Sequence, residues 1–253
     1  MYAQPQAARL GALEALTRGI PAELTVFVRK TYSLLAFSLI LGAAACWAML
    51  QLMPTATVAL RSGQTAVVPN LPQWAFWLLW GGTFVFSIAG SFARKGARQG
   101  EVSFTGLLCL VGMVVCSGAM LGPTIGTYVG LGMATTVGAA AVVTAVTFSA
   151  LTGIVFFTGR NFGFMGKMLA ISGIAFFVAW MVGAFFIHNA AFQWWMAAFG
   201  AILFCGYILF DTSSVVHYYG PNNMVVPAVI SLYLDIFNLF LMLLYLFAGR
   251  RSD

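Results

Sequence analysis

The chain has 253 residues, of which 61% are hydrophobic and only 7% are charged, and its mean hydropathy is +0.94. Soluble domains carry about 25% charged residues, so this composition excludes a soluble globular protein. The net charge of +6 comes from basic residues in short segments beside apolar stretches, which indicates topology signals rather than binding of nucleic acid.

Seven apolar stretches follow one another along the chain, and each is long enough to cross a ~30 Å hydrocarbon core as an α-helix. Their approximate bounds are 32–53, 71–92, 104–125, 134–157, 168–187, 192–211 and 225–247. They lack the two-residue alternation of barrel strands. The sequence therefore predicts an all-α, polytopic membrane protein with seven transmembrane helices. The predicted division is an N-terminal tail over 1–30, a transmembrane domain over 31–249 and a C-terminal tail over 250–253.

The positions of the basic residues predict the orientation in the membrane. If the helices alternate, one side holds Arg9, Arg18, Arg29, Lys30, Arg94, Lys95, Arg98, Arg160 and Lys167. The loops on the other side hold Arg61 alone, so the positive-inside rule places the N-terminus in the cytoplasm. Seven full spans leave Arg250 and Arg251 on the outer side, against the rule. A re-entrant last segment would avoid this conflict, but seven spans is the preferred interpretation.

Two acidic residues, Asp211 and Asp235, lie inside apolar stretches, where a carboxylate is costly and commonly marks a functional site. The turn "YYGPNN" separates them, so the sixth and seventh helices should form an antiparallel hairpin. At 1.5 Å per residue the two acids lie roughly 13 and 18 Å from that turn, at similar depth. Helical spacing places further polar residues on the same faces, namely Tyr207, Ser214 and Tyr218 beside Asp211, and Ser231 and Asn238 beside Asp235.

Two neighbouring carboxylates in a low dielectric do not readily both ionise, so the pair is expected to share a proton and to titrate as a unit. Loss of that proton leaves a negative site that suits a cation such as Ca²⁺, although two carboxylates are few for tight binding. A structural alternative is that each acid hydrogen-bonds a neighbouring helix. An intramembrane aspartyl protease also uses two aspartates that share a proton. The "YLD" around Asp235 argues against it, since such proteases carry GxGD there.

The segments "ILFDTSSVVHYYG" and "VPAVISLYLDIFNLFLMLL" resemble the C-terminal signature of the Bax inhibitor family, including its bacterial YccA-like branch. The segments "FVRKTYSLLAFSLILGAAAC" and "GRNFGFMGKML" extend the resemblance to about residues 26–249. It implies a seven-helix fold with a central C-terminal helix. It also implies a pH-sensitive calcium leak channel or transporter of the inner membrane, gated by Asp211 and Asp235, with no enzymatic activity. No cofactor is implied, apart from Ca²⁺ as a permeant or bound ion.

The same resemblance implies an ion pair and a protein partner. A basic residue at the end of the family's second helix pairs with the aspartate of the sixth, and the candidates here are Arg94 and Arg98. The loop "GRN" departs from the "KRD" type of the family and lacks its acid. The bacterial branch also implies modulation of a membrane-bound AAA protease through the N-terminal tail. The expected partners are therefore the lipid bilayer, Ca²⁺, protons and such a protease.

Overall fold

The computed structural model describes residues 22–59, 65–92, 103–187 and 189–249, without the side chains of Ala22, Ala184 and Phe185. Within these ranges the helices are α1 (Ala22–Leu52), α2 (Gln73–Phe92), α3 (Phe104–Gly130), α4 (Ala134–Thr158), α5 (Gly166–Phe186), α6 (Ala190–Ser214) and α7 (Val225–Gly249). Two strands, β1 (Thr55–Ala59) and β2 (Thr65–Pro69), lie between α1 and α2. All seven helices are long and apolar enough to cross a membrane. The predicted all-α, seven-helix membrane architecture is confirmed.

Local side chains fix several of the helix ends. The Ser103 hydroxyl accepts a hydrogen bond from the Gly106 N–H at 3.1 Å at the start of α3. The Asn189 side chain accepts one from the Ala191 N–H at 2.9 Å at the start of α6. Both are N-caps, which satisfy backbone donors that have no partner inside the helix. Gly159, with φ +59°, ends α4 in the left-handed conformation that glycine adopts readily.

The connection between α1 and α2 contains an antiparallel β-hairpin that the apolar pattern of the sequence does not predict. Its register runs from Thr55 opposite Pro69 to Ala59 opposite Thr65. The hairpin lies against the end of α3, where Gly130 faces the Val67 carbonyl. Because a side chain at Gly130 would overlap that carbonyl, the close approach depends on glycine.

The last helix, α7, lies at the centre of the bundle, as the resemblance implies. It packs against α1, α2, α3, α4 and α6. Its fully buried apolar side chains include Val229, Leu232, Leu239 and Leu244. These residues belong to two hydrophobic clusters that together run along the helix. The acidic residue in the middle of α7 is therefore surrounded by protein rather than by lipid.

One end of the bundle gathers the segments that flank the two aspartates, and we call it the turn end. It holds a π-helical turn over Val215–Tyr219 that continues α6, and the loop from Gly220 to α7. Leu24, near the start of α1, lies against Gly220. The Phe162 N–H, in the loop after α4, donates a hydrogen bond to the Ser213 hydroxyl at 2.9 Å. The β-hairpin lies at the opposite end, with the end of α3.

Candidate functional site

The α6–α7 hairpin brings the side chains of Asp211 and Asp235 together. Their carboxyl groups lie within hydrogen-bonding reach of each other. Asp211 is 8% exposed and Asp235 is 5% exposed, so water has little access to either. Helical rise places both roughly 12–15 Å from the turn end. The expected pairing of the two intramembrane acids at similar depth is therefore present in the structure.

The two carboxyl groups have few hydrogen-bond partners apart from each other. Oδ2 of Asp235 is buried and has no hydrogen-bond partner among the described residues. Among the described residues, no three or more His, Cys, Asp or Glu side chains lie close enough together to hold a metal ion. Buried polar atoms are normally satisfied, so an unpartnered buried carboxylate oxygen favours protonation of the pair, or a water molecule or cation at that oxygen.

Tyr207 lies near the pair, but its hydroxyl group is bonded elsewhere. It donates a hydrogen bond of 2.8 Å to the Leu169 carbonyl on α5. The phenol is nevertheless close enough to interact electrostatically with both Asp211 and Asp235. Tyr207 thus ties α5 to α6 at the level of the pair.

Two other residues of the predicted polar faces, Ser214 and Asn238, bond within their own helices. Each donates to the backbone carbonyl four residues earlier, at 2.9 and 2.8 Å respectively. Such local bonds satisfy a polar side chain in a transmembrane helix without a partner from another helix. Ser214 and Asn238 are half-buried, and their role in supporting the pair stays a prediction.

The π-helical turn after α6 changes which tyrosine faces the bundle. The expectation that Tyr218 shares the face of Asp211 is wrong, since Tyr218 is 51% exposed. Tyr219 points inward instead, and its hydroxyl lies 3.2 Å from the Ser231 hydroxyl on α7. The physical reason is that a π-helix needs more residues per turn than the α-helical spacing assumes. Tyr219 also interacts electrostatically with both carboxyl groups.

Ser213, which the sequence pattern did not single out, anchors the loop between α4 and α5 beside the pair. Besides the Phe162 N–H, its hydroxyl lies 3.5 Å from the Asn161 side-chain oxygen. Nδ1 of His217 lies 2.9 Å from the Ser213 carbonyl. The "GRN" loop is therefore fixed to α6 two residues beyond Asp211. The polar run "DTSS" at the end of an apolar helix is the sequence feature that would draw attention to Ser213, although it does not reveal the partner.

The candidate ion-pair residues Arg94 and Arg98 lie outside the described residues, as do positions 1–21 of the predicted N-terminal tail. Pairing of either arginine with an aspartate therefore stays a prediction. The division into tail, transmembrane domain and C-terminal tail stays one as well.

The chain is similar in sequence to a known protein family and to several individual proteins. The family model described as "Inhibitor of apoptosis-promoting Bax1" matches residues 24–252. An uncharacterized protein of Campylobacter jejuni is 31% identical over 235 residues, which cover 91% of each chain. The Escherichia coli K12 protein named "Modulator of FtsH protease YccA" is 31% identical over 149 residues, covering 59% of this chain and 67% of the relative. Bax inhibitor 1 of Schizosaccharomyces pombe is 33% identical over 136 residues, covering 53% of this chain and 50% of the relative.

Proposed function

The chain belongs to the Bax inhibitor family, and we propose that it is a pH-sensitive calcium leak channel or transporter gated by the pair of Asp211 and Asp235. Its proposed location is the inner membrane, with the N-terminus in the cytoplasm. An Escherichia coli O6:H1 relative, 31% identical over 149 residues, is named an inner membrane protein. The names of the other relatives describe a protease modulator and a Bax inhibitor rather than enzymes, in keeping with a protein that is not itself an enzyme.

The observation that carries the proposal is the contact between two buried carboxyl groups, one of which has an unpartnered oxygen. Two carboxylates this close repel each other unless a proton or a cation lies between them. Proton and cation therefore compete for the same place. This competition couples the occupancy of the site by Ca²⁺ to pH.

The sign of the pH effect follows from this competition. At low pH the pair holds a shared proton, carries at most one negative charge and attracts a divalent cation weakly. As the pH rises, the proton leaves, the second charge appears and the occupancy by Ca²⁺ increases. We expect calcium flux to increase from acidic to mildly alkaline pH.

Weak binding fits a permeation site better than a storage site. Ca²⁺ takes about six to eight oxygen ligands in tight sites, and two carboxylates supply four at most. A conducting site has to release its ion as readily as it admits it. The small number of charged ligands is therefore consistent with transient occupancy by a permeant ion.

The test is calcium flux into proteoliposomes at a series of pH values, for the wild-type protein and for Asp211→Asn and Asp235→Asn. Each substitution keeps the size of the side chain and leaves a single carboxyl group beside a neutral amide. The coupled titration is then lost, so both variants should show a flattened or displaced pH response.

Glu23→Gln is the matched control, because it removes the same charge from an exposed residue near the start of α1. It should keep the wild-type pH response. If Asp211→Asn and Asp235→Asn also keep that response, the gating mechanism is wrong. If the wild-type protein carries no calcium at any pH, the proposed activity itself is wrong.

A second candidate function is modulation of a membrane-bound AAA protease through the N-terminal tail. The observation that favours it is the similarity to the Escherichia coli relative named as a modulator of the FtsH protease. Deletion of residues 1–21, which ends before α1, separates the two functions. Calcium flux should survive the deletion because it belongs to the helix bundle, whereas an effect on protease activity should disappear. An unchanged effect on the protease would exclude the tail as the modulating segment.

A further inference from the structure

The path from the carboxyl pair to solvent is shorter and more polar towards the turn end than towards the opposite end. Asp235 is ten residues from the start of α7 and fourteen from its end, which correspond to roughly 15 and 21 Å. The buried residues that follow Asp211 in α6, towards the turn end, are Thr212 and Ser213. The buried residues that follow Asp235 in α7, towards the opposite end, are all apolar, namely Phe237, Leu239, Met242, Leu243 and Leu244. Water and ions are therefore expected to reach the pair from the turn end.

Tyr219 lies between the pair and the turn end. It belongs to the π-helical turn, which packs against α7 and α1. Its hydroxyl lies 3.2 Å from that of Ser231, and Ser231 precedes Asp235 by four residues on the same face of α7. The backbone of Ser231 is therefore about 6 Å nearer to the turn end than that of Asp235. The electrostatic interaction of Tyr219 with both Asp211 and Asp235 agrees with this placement.

The Tyr219 side chain is held on one side by packing and at its tip by a hydrogen bond. Its ring packs against the hydrophobic cluster of the bundle, and its backbone carbonyl accepts a hydrogen bond from the Met224 N–H at 2.9 Å. Tyr219 and Ser231 are half-buried, whereas Asp235 is buried. The ring and the hydroxyl contact thus stand between solvent and the carboxyl groups, and the side chain can move without a change in the backbone.

We propose that Tyr219 is a gate between the turn end and the carboxyl pair, and that its hydrogen bond with Ser231 holds the gate closed. A hydrogen bond between two neutral hydroxyls contributes little net free energy, so thermal motion breaks it readily. The phenol then moves away from α7, and water, protons and hydrated cations reach Asp235. The effect of the gate on calcium flux rests on the proposed function. Its effect on access to the carboxyl groups can be measured without any flux.

The experiment measures how fast a water-soluble carbodiimide, with glycine methyl ester as the amine, modifies Asp211 and Asp235 in the full-length protein in detergent. The carboxyl group adds with its proton to the carbodiimide and forms an O-acylurea. The amine then displaces the urea, which takes up the amine proton, and an amide remains. Mass spectrometry of the peptides gives the rate at each residue. Glu23, which is exposed, serves as the internal reference.

The variants are Tyr219→Phe, Ser231→Ala and Tyr219→Ala. The first two remove one hydroxyl each and keep the ring, so modification of the pair should be about twofold to tenfold faster than in the wild type. Tyr219→Ala removes the ring as well and should increase the rate by about tenfold or more. Tyr219→Phe keeps the packing of the ring, so it tests the hydrogen bond in a protein of nearly unchanged shape.

Tyr218→Ala is the matched control, because it removes the neighbouring tyrosine of the same turn. The Tyr218 ring is 51% exposed, and its centroid lies 5.3 Å from that of the Tyr219 ring. This variant should be modified at the wild-type rate. If it is modified as fast as Tyr219→Ala, general loosening of the turn exposes the pair and the gate is refuted. A wild-type rate in Tyr219→Ala refutes it as well.

Calcium flux into proteoliposomes separates the gate from the proposed function. Tyr219→Phe and Tyr219→Ala should carry more calcium than the wild type at each pH. The pH of half-maximal flux should not change, because both carboxyl groups remain. If the wild-type protein carries no calcium but modification follows the expected order, the proposed function is wrong and the gate stands. If Asp211→Asn alters the pH response while Tyr219→Ala is modified at the wild-type rate, the gate is wrong and the function stands.

Discussion

The crossing of α1 and α3 depends on a direct backbone contact between two glycines. A Cβ atom added at Gly118 would overlap the carbonyl oxygen of Gly42 and lie 2.9 Å from its Cα. These neighbours are backbone atoms, so no side-chain rotation relieves the overlap. Substitution of Gly118 by alanine must therefore push the two helices apart. Small residues allow this kind of close approach between transmembrane helices.

The expected magnitude is the difference between two opposing effects. Overpacking in a well-packed interior costs about 1–3 kcal/mol, and an overlap with backbone belongs at the upper end. Replacing a glycine by alanine inside a helix returns about 1 kcal/mol of helix propensity. The net loss is about 2 kcal/mol. For a chain of this size it corresponds to a fall of roughly 4–8 °C in unfolding temperature.

The assay is thermal unfolding of the purified protein in detergent, followed by tryptophan fluorescence. The matched control is Gly138→Ala, because a Cβ atom at Gly138 in α4 would meet no atom within 4 Å. The control should be as stable as the wild type or slightly more stable, since only the propensity changes. If Gly118→Ala is as stable as Gly138→Ala, the backbone contact with Gly42 does not hold the two helices together.

Three further predictions concern a hydrogen bond between helices, the end of a helix and the anchoring of a loop. Ser117→Ala and Tyr233→Phe should each destabilise the protein, and their double-mutant cycle should give a coupling of about 1 kcal/mol, because the two hydroxyls are 2.9 Å apart and buried. Gly159→Ala should lower the unfolding free energy by about 1 kcal/mol in denaturant titrations, because its φ of +59° disfavours a side chain. Ser213→Ala should increase hydrogen exchange at the Phe162 amide, which loses its acceptor; unchanged exchange would contradict the anchoring of the loop.

Hydropathy predicts the seven helices well because the membrane requires long apolar helical segments. The largest difference between the predicted and the observed helix bounds is at the start of α1. The apolar pattern places this start at Tyr32, whereas the structure places it at Ala22. Arg29 and Lys30 interrupt the apolar pattern but are good helix formers, so the helix continues where the hydropathy falls. The pairing of β1 with β2 is not predictable from the sequence, because two short, mostly exposed strands depend on the contact of β2 with α3, which no local pattern reveals.

The sequence also predicts part of the site. Asp211 and Asp235 stand out because ionisable residues are rare in apolar helices, and the hairpin between them is short enough to fix their relative depth. The choice between Tyr218 and Tyr219 depends on a π-helical turn, and the α-helical spacing gives the wrong residue.

The hydrogen bonds of the surrounding polar groups help to decide between a functional role and a purely structural role for the two acids. If the carboxyl groups served only to join helices, the nearby donors should bond to them. Tyr207 instead bonds to a backbone carbonyl of α5, Tyr219 pairs with a serine of α7, and Ser213 binds the loop after α4. These bonds fix the helices around the pair without using its oxygens. Asp211 and Asp235 are thus left facing each other, an arrangement that suits a proton or a cation better than a purely structural bond.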